Sequence, residues 1–99
     1  MKNLPDDTST DNVVSALTLT EDNYASQIST ATLFVMFFVP WCGHCKRLAP
    51  TWEELATNMK KSPEKNVTIA MVNCVNQTIL CKDQNIKGYP MLMFYETKD

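Results

Sequence analysis

Apolar residues along this chain fall into short runs separated by polar, turn-rich segments. A polar, acidic leader over residues 1–12 precedes "VVSALTL" (13–19), which predicts a short strand. "TEDNYASQIS" (20–29) predicts a helix capped by Thr20, with Asn23 standing where a capping box prefers Glu or Gln. "LFVMFFV" (33–39) is seven apolar residues without strict alternation, the pattern of a central strand covered on both faces. From Cys42 to about Lys61 the period becomes helical: Cys45, Leu48, Trp52, Leu55 and Met59 form one apolar stripe, with Pro50 inside it expected to bend the helix. "VTIAMV" (67–72) predicts a strand, residues 78–84 a short helix, "KGYP" a turn and "MLMFY" (91–95) a last strand. The helix-containing connection between the strands at 33–39 and 67–72 permits parallel pairing through a right-handed crossover. The order β-α-β-α-β-α-β describes an α/β fold, a sheet between helices.

A chain of 99 residues holds one domain, near the lower end of what a single core supports. A net charge of −2 gives no electrostatic reason to expect nucleic acid or acidic lipid as a partner. No apolar run reaches the roughly 18 residues of a membrane span. The leader lacks the apolar segment of a signal peptide, and "ETKD" at the end is not a retention signal.

Chemistry concentrates in "PWCGHCKRLAP" (40–50), where Cys42 and Cys45 flank Gly43 and the single histidine, His44. The spacing serves zinc sites, redox disulfides and buried thiols alike. Zinc would need two further ligands at suitable spacing, and Cys74 and Cys81 have six residues between them rather than two to four. Cys42 falls at the first helical position, where free N–H groups and the helix dipole favour a thiolate, and Lys46, Arg47 and a protonated His44 would add to this. Cys45 heads the buried stripe and would be shielded. A stabilised thiolate beside a shielded partner points to thiol–disulfide exchange, with the Cys42–Cys45 disulfide a good oxidant.

"FVMFFVPWCGHCKRLAPTWEEL" (34–55) resembles the catalytic thioredoxin-like domain of protein disulfide isomerases, and "IKGYP" (86–90) resembles that family's cis-proline loop. The resemblance runs from about Val13 to Tyr95. It implies that Cys42 attacks the substrate, Cys45 resolves the mixed disulfide, and Gly43 and His44 tune the potential toward oxidation. Trp41 would flank the site, and Tyr89 and Pro90 would pair with an extended substrate. "VNCVNQTILCKDQNIKGYP" is similar to multi-domain endoplasmic-reticulum members, most of all those built of three thioredoxin domains, which often carry an extra cysteine pair there. Cys74 and Cys81 are accordingly expected to form a structural disulfide, since neither lies at a glycine-rich, cation-flanked helix start.

The chain also departs from the family. Met36 stands where many members have a buried glutamate, and Met71 where a lysine commonly pairs with it. The family fold continues with a fifth strand and a final helix after the position where this sequence stops, so residues 13–99 read as a C-terminally incomplete domain of a mixed sheet flanked by helices. The strand at 91–95 would then be an unpaired edge. Asn66-Val-Thr and Asn76-Gln-Thr match the N-glycosylation pattern.

The leading expectation is a protein thiol–disulfide oxidoreductase of the endoplasmic-reticulum lumen, forming and isomerising disulfides in folding secretory proteins. It would use no metal or organic cofactor, take cysteine-containing unfolded or folding polypeptides as partners, and exchange electrons with glutathione or an oxidase. The alternatives are a non-catalytic module that binds unfolded chains and a general thioredoxin-type reductase. Gly-His between the cysteines speaks against the last, which typically carries a proline there.

Overall fold

The computed structural model describes residues 15–97. Its elements are β1 (Leu17–Thr18), α1 (Tyr24–Thr30), β2 (Thr32–Phe38), α2 (Gly43–Lys60), β3 (Val67–Asn73), α3 (Thr78–Asp83) and β4 (Met91–Tyr95), with a 3-10 turn at Pro63–Lys65. The strands form one mixed sheet in the order β1-β3-β2-β4. β2 and β3 run parallel from Thr32↔Val67 to Phe38↔Asn73, β1 joins β3 parallel at Leu17↔Ala70, and β4 returns antiparallel along β2 from Phe37↔Met91.

β2 shows why its sequence lacks alternation. Leu33, Val35 and Phe37 point into a cluster with Leu19, Val72 and Leu80, while Met36 points the other way into a cluster with Trp52, Ala56 and Ile69. Both faces are covered, so both sets of side chains are apolar. α2 runs unbroken through Pro50, although proline leaves the Lys46 carbonyl without its i+4 donor. Packing holds the helix in place: Trp52 is buried, and its Nε1–H donates to the Ala70 carbonyl of β3 at 2.8 Å. Ala56, absent from the expected stripe, is more deeply buried than Leu48, Leu55 and Met59, which lie at the margin of the same cluster.

Several boundaries differ from expectation. The first strand is two residues rather than seven, because the N–H groups of Ser15 and Ala16 turn to the Glu53 carboxylate, at 2.6 and 3.2 Å, instead of a neighbouring strand. Val13, Val14 and the leader at 1–12 lie outside the described residues. The first helix starts at Tyr24, not at 20, and residues 21–23 form a turn. Thr20 and Asn23 do close a reciprocal pair there: Thr20 N–H donates to Asn23 Oδ1 at 2.7 Å, and Asn23 N–H to Thr20 Oγ1 at 3.3 Å. Asn23 thus fills the role reserved for Glu or Gln. The central strand lies one residue earlier than expected, at 32–38, and α3 stops at Asp83, one residue short.

β4 is an edge of the sheet among the described residues and leaves Leu92 and Phe94 exposed. Its far end is anchored, since Tyr95 Oη–H donates to Gln84 Oε1 just after α3 at 2.7 Å. Burial raises the Tyr95 phenol well above its ordinary range, and it also raises that of Tyr24, which packs edge-on against it.

Candidate active site

β2 delivers the chain to the carboxyl end of the sheet, and a tight turn starts α2: Cys42 N–H donates back to the Val39 carbonyl at 3.1 Å. Cys42 is the N-cap of α2, one position before the first helical residue assigned to it from the sequence. Its backbone is extended, its carbonyl accepts from Lys46 N–H, and its Sγ accepts from Cys45 N–H at 3.1 Å. A sulfur occupies the place where a cap usually offers a serine or aspartate oxygen. An N-cap acceptor takes up an otherwise unpaired helix donor, and a negative charge there meets the helix dipole.

The two free thiols differ sharply. Cys42 is partly exposed, whereas Cys45 is 3% exposed. The hydrogen bond from the Cys45 thiol, reinforced by the N–H groups of Cys45 and His44 and by the charge of Arg47, draws Cys42 below the usual thiol range. Burial pushes Cys45 up, and its bond to Cys42 and the charge there add to the rise. One sulfur is poised as a nucleophile and the other holds its proton.

Beneath Cys45 lies a cavity of about 90 Å³ lined by Met36, Phe38, Val39, Pro40, Lys46, Ala49 and Met71. Met36 and Met71 are register partners on β2 and β3. Among the described residues no carboxylate lines this space.

Trp41, Gly43, His44, Cys74, Tyr89 and Pro90 lie around the same end of the sheet. Trp41 is 72% exposed and therefore takes no part in the core. Tyr89 is exposed, and the Tyr89–Pro90 peptide bond is cis. Since Met91 pairs with Phe37, Pro90 falls opposite Phe38 on the neighbouring strand, where β2 leads out toward Cys42. Cys74 and Cys81 are joined, S–S 2.06 Å, and belong to the cluster against which Cys42 packs. Gly43 and His44 open α2 and are exposed. Asn66 and Asn76 are both exposed, at opposite ends of β3.

Three features escaped the sequence reading. Glu21 caps α3 from a distance, accepting from Ile79 N–H at 2.8 Å and Leu80 N–H at 3.1 Å. Val75 and Ile79 add exposed apolar surface in the turn after β3 and on α3. Arg47 contacts His44 Nδ1 at 2.7 Å. Only the last had a signal, the i, i+3 spacing that places two side chains on one helix face.

A parallel β2–β3 pair, an antiparallel β4 entered through a cis-proline, and a cysteine pair at the start of the crossover helix define a thioredoxin-fold domain. A family model described as Thioredoxin matches residues 15–99, and the chain belongs to that family. It is 47% identical over 85 residues to a thioredoxin domain-containing protein 5 homolog of Drosophila melanogaster, covering 86% of this chain and 20% of that protein. It is 44% identical over 82 residues to a protein disulfide-isomerase of Humicola insolens, covering 82% of this chain and 16% of that one. The chain therefore spans about a fifth or less of the length of these relatives. Among solved structures, the first two thioredoxin domains of Saccharomyces cerevisiae Eps1p match with TM-score 0.74 and 34% identity, over 79% of this chain and 30% of that one. Human ERp44 in a zinc-bound form matches with TM-score 0.77 and 26% identity, over 82% and 23%. Among the described residues no group of three His, Cys, Asp or Glu side chains is placed to hold a metal ion, and no helix is long and apolar enough to cross a membrane.

Proposed function

We propose that this domain is a protein thiol–disulfide oxidoreductase that forms and isomerises disulfides in folding secretory polypeptides of the endoplasmic-reticulum lumen. The observation that carries the reading is the asymmetry of the pair: Cys42 Sγ caps α2 and is drawn below the thiol range, while Cys45 is buried behind it. The relatives named protein disulfide-isomerase support the same class.

In the oxidising direction a substrate thiolate attacks Cys42 Sγ of the Cys42–Cys45 disulfide, and Cys45 leaves as a thiolate and takes a proton. A second substrate thiolate attacks the mixed disulfide at the substrate's own sulfur. The substrate gains a disulfide and Cys42 departs as the stabilised thiolate. Two electrons pass to the dithiol pair, and glutathione disulfide or an oxidase removes them. Isomerisation begins with Cys42 attacking a substrate disulfide and ends when another thiol of the substrate displaces Cys42. In the escape route Cys45 attacks Cys42 Sγ instead, closes the Cys42–Cys45 disulfide and expels the substrate as a thiolate. Trp41, Tyr89 and Pro90 supply the apolar and backbone surface for an extended substrate beside Cys42. Cys74–Cys81 serves as a structural bridge.

A redox titration of Cys42–Cys45 in glutathione buffers, run beside turnover on a reduced, unfolded protein, tests the reading. An oxidising potential with turnover is the expected result. Binding without turnover would make the domain a holder of unfolded chains, and a strongly reducing potential would make it a reductase.

A further inference from the structure

The histidine between the cysteines has a partner. Arg47 Nη2 lies 2.7 Å from His44 Nδ1, one turn along the exposed face of α2. A guanidinium offers only donors and stays charged at any pH the fold survives, so in this contact Nδ1 is the acceptor and the imidazole carries its proton on Nε2. The same guanidinium lies alongside Gly43, with Nη1 3.8 Å from where a β-carbon would stand. It therefore lies along the first turn of α2, beside Gly43 and the ring of His44.

We propose that Arg47 is a positioning residue of this site, fixing His44 in its Nε2–H tautomer and supplying the fixed positive charge beside Cys42. The inference rests on the thiol–disulfide reading and narrows to Arg47 a part that the sequence pattern spreads over Lys46, Arg47 and a protonated His44. The groups facing Cys42 are few. From α2 they are Cys45, His44 and Arg47. The buried cluster against which Cys42 packs contributes aliphatic and aromatic residues and the closed Cys74–Cys81 bridge, with the phenols of Tyr24 and Tyr95 packed against the same cluster. The guanidinium that Arg47 holds on this turn never loses its proton, and the histidine contributes an oriented N–H dipole.

The test uses the reduced full chain as wild type, Arg47→Ala and Arg47→Lys. ¹⁵N spectra of the imidazole report the His44 tautomer, and the rate of Cys42 alkylation against pH reports its titration midpoint. Wild type should show one tautomer with Nδ1 unprotonated. In Arg47→Ala both tautomers should appear and the midpoint should rise by about half a unit, roughly a threefold loss of thiolate below it. Arg47→Lys, which keeps a cation with donors on the same face, should restore most of the midpoint. An unchanged tautomer in Arg47→Ala overturns the assignment, whether or not the midpoint moves, and so does an unchanged midpoint. Neither readout needs turnover. A chain that fails to exchange disulfides but shows these shifts would overturn the proposed function and leave the role of Arg47 standing.

Discussion

The sulfur of Cys42 accepts the backbone N–H of Cys45 at 3.1 Å, so the residue proposed to resolve the mixed disulfide also helps hold the proposed nucleophile ionised. The two thiols are pushed in opposite directions, Cys42 down and Cys45 up. Brief alkylation of the reduced protein at mildly acidic pH should therefore label Cys42 well before Cys45, read by mass spectrometry of peptides. Equal labelling, or Cys45 first, would mean the roles are reversed.

The same asymmetry sets how the reduced protein's stability varies with pH. Between the lowered value of Cys42 and the ordinary thiol value of 9.0, the unfolded chain binds a proton there that the native state does not. Unfolding free energy must rise with pH across that window, and the contribution vanishes as pH falls through the native value. Cys45 acts oppositely: above 9.0 the native state keeps a proton the unfolded chain has lost, so stability falls again. Urea unfolding of the reduced protein against Cys42→Ser should show the wild type gaining on the variant as pH approaches 9. A constant difference across pH would remove the claim.

The second cysteine pair sits differently. Cys74 and Cys81 are each 6% exposed, inside the cluster that also holds Leu80 and Val72. A seven-residue separation closes a small loop, worth on the order of 2 to 3 kcal/mol through the unfolded chain's lost freedom. In glutathione buffers that reduce Cys42–Cys45 this bridge should persist, and Cys74→Ala with Cys81→Ala should lower the unfolding midpoint without shifting the potential of the redox pair. Recovery of both thiols unpaired after oxidative refolding, by peptide mapping, is the contrary result.

How much of this was legible in the sequence depends on the range of the interaction. β2 and α2 announce themselves because burial on both faces and on one stripe leaves a periodic record in the residues themselves. The inequality of Cys42 and Cys45 was legible for the same reason, since one precedes the stripe and the other belongs to it. β1 is shorter than the apolar stretch from Val13 to Leu19 suggests, because the N–H groups of Ser15 and Ala16 donate to Glu53, and bonds of that range leave no local pattern. The Glu21 cap on α3 spans 58 residues and leaves no local trace. At Asn23 the geometry of one turn outweighs the usual preference for Glu or Gln, since the shorter side chain reaches the same Thr20 N–H.

The last prediction concerns the space under Cys45. Before Cys45 can attack a mixed disulfide and release the substrate it must lose its proton, and burial opposes this. The cavity below it is walled by Met36 and Met71, adjacent across β2 and β3, and Met36 is fully buried. A thioether cannot accept the proton, and Lys46, the charged residue on the wall, is a donor. Attack by Cys42 should therefore be fast, and Cys45-dependent release should be slow and accelerate with pH, up to tenfold per unit while hydroxide is the acceptor. Met36→Glu with Met71→Lys would install a carboxylate and its counter-charge in neighbouring register. Stopped-flow measurement of mixed-disulfide resolution should then show faster release and a flatter pH profile. Met36→Glu alone should lower the unfolding midpoint, because it leaves a buried charge unpaired. Unchanged release in a stably folded double variant would mean that solvent or another group already carries the proton, and that the apolar floor does not limit the cycle.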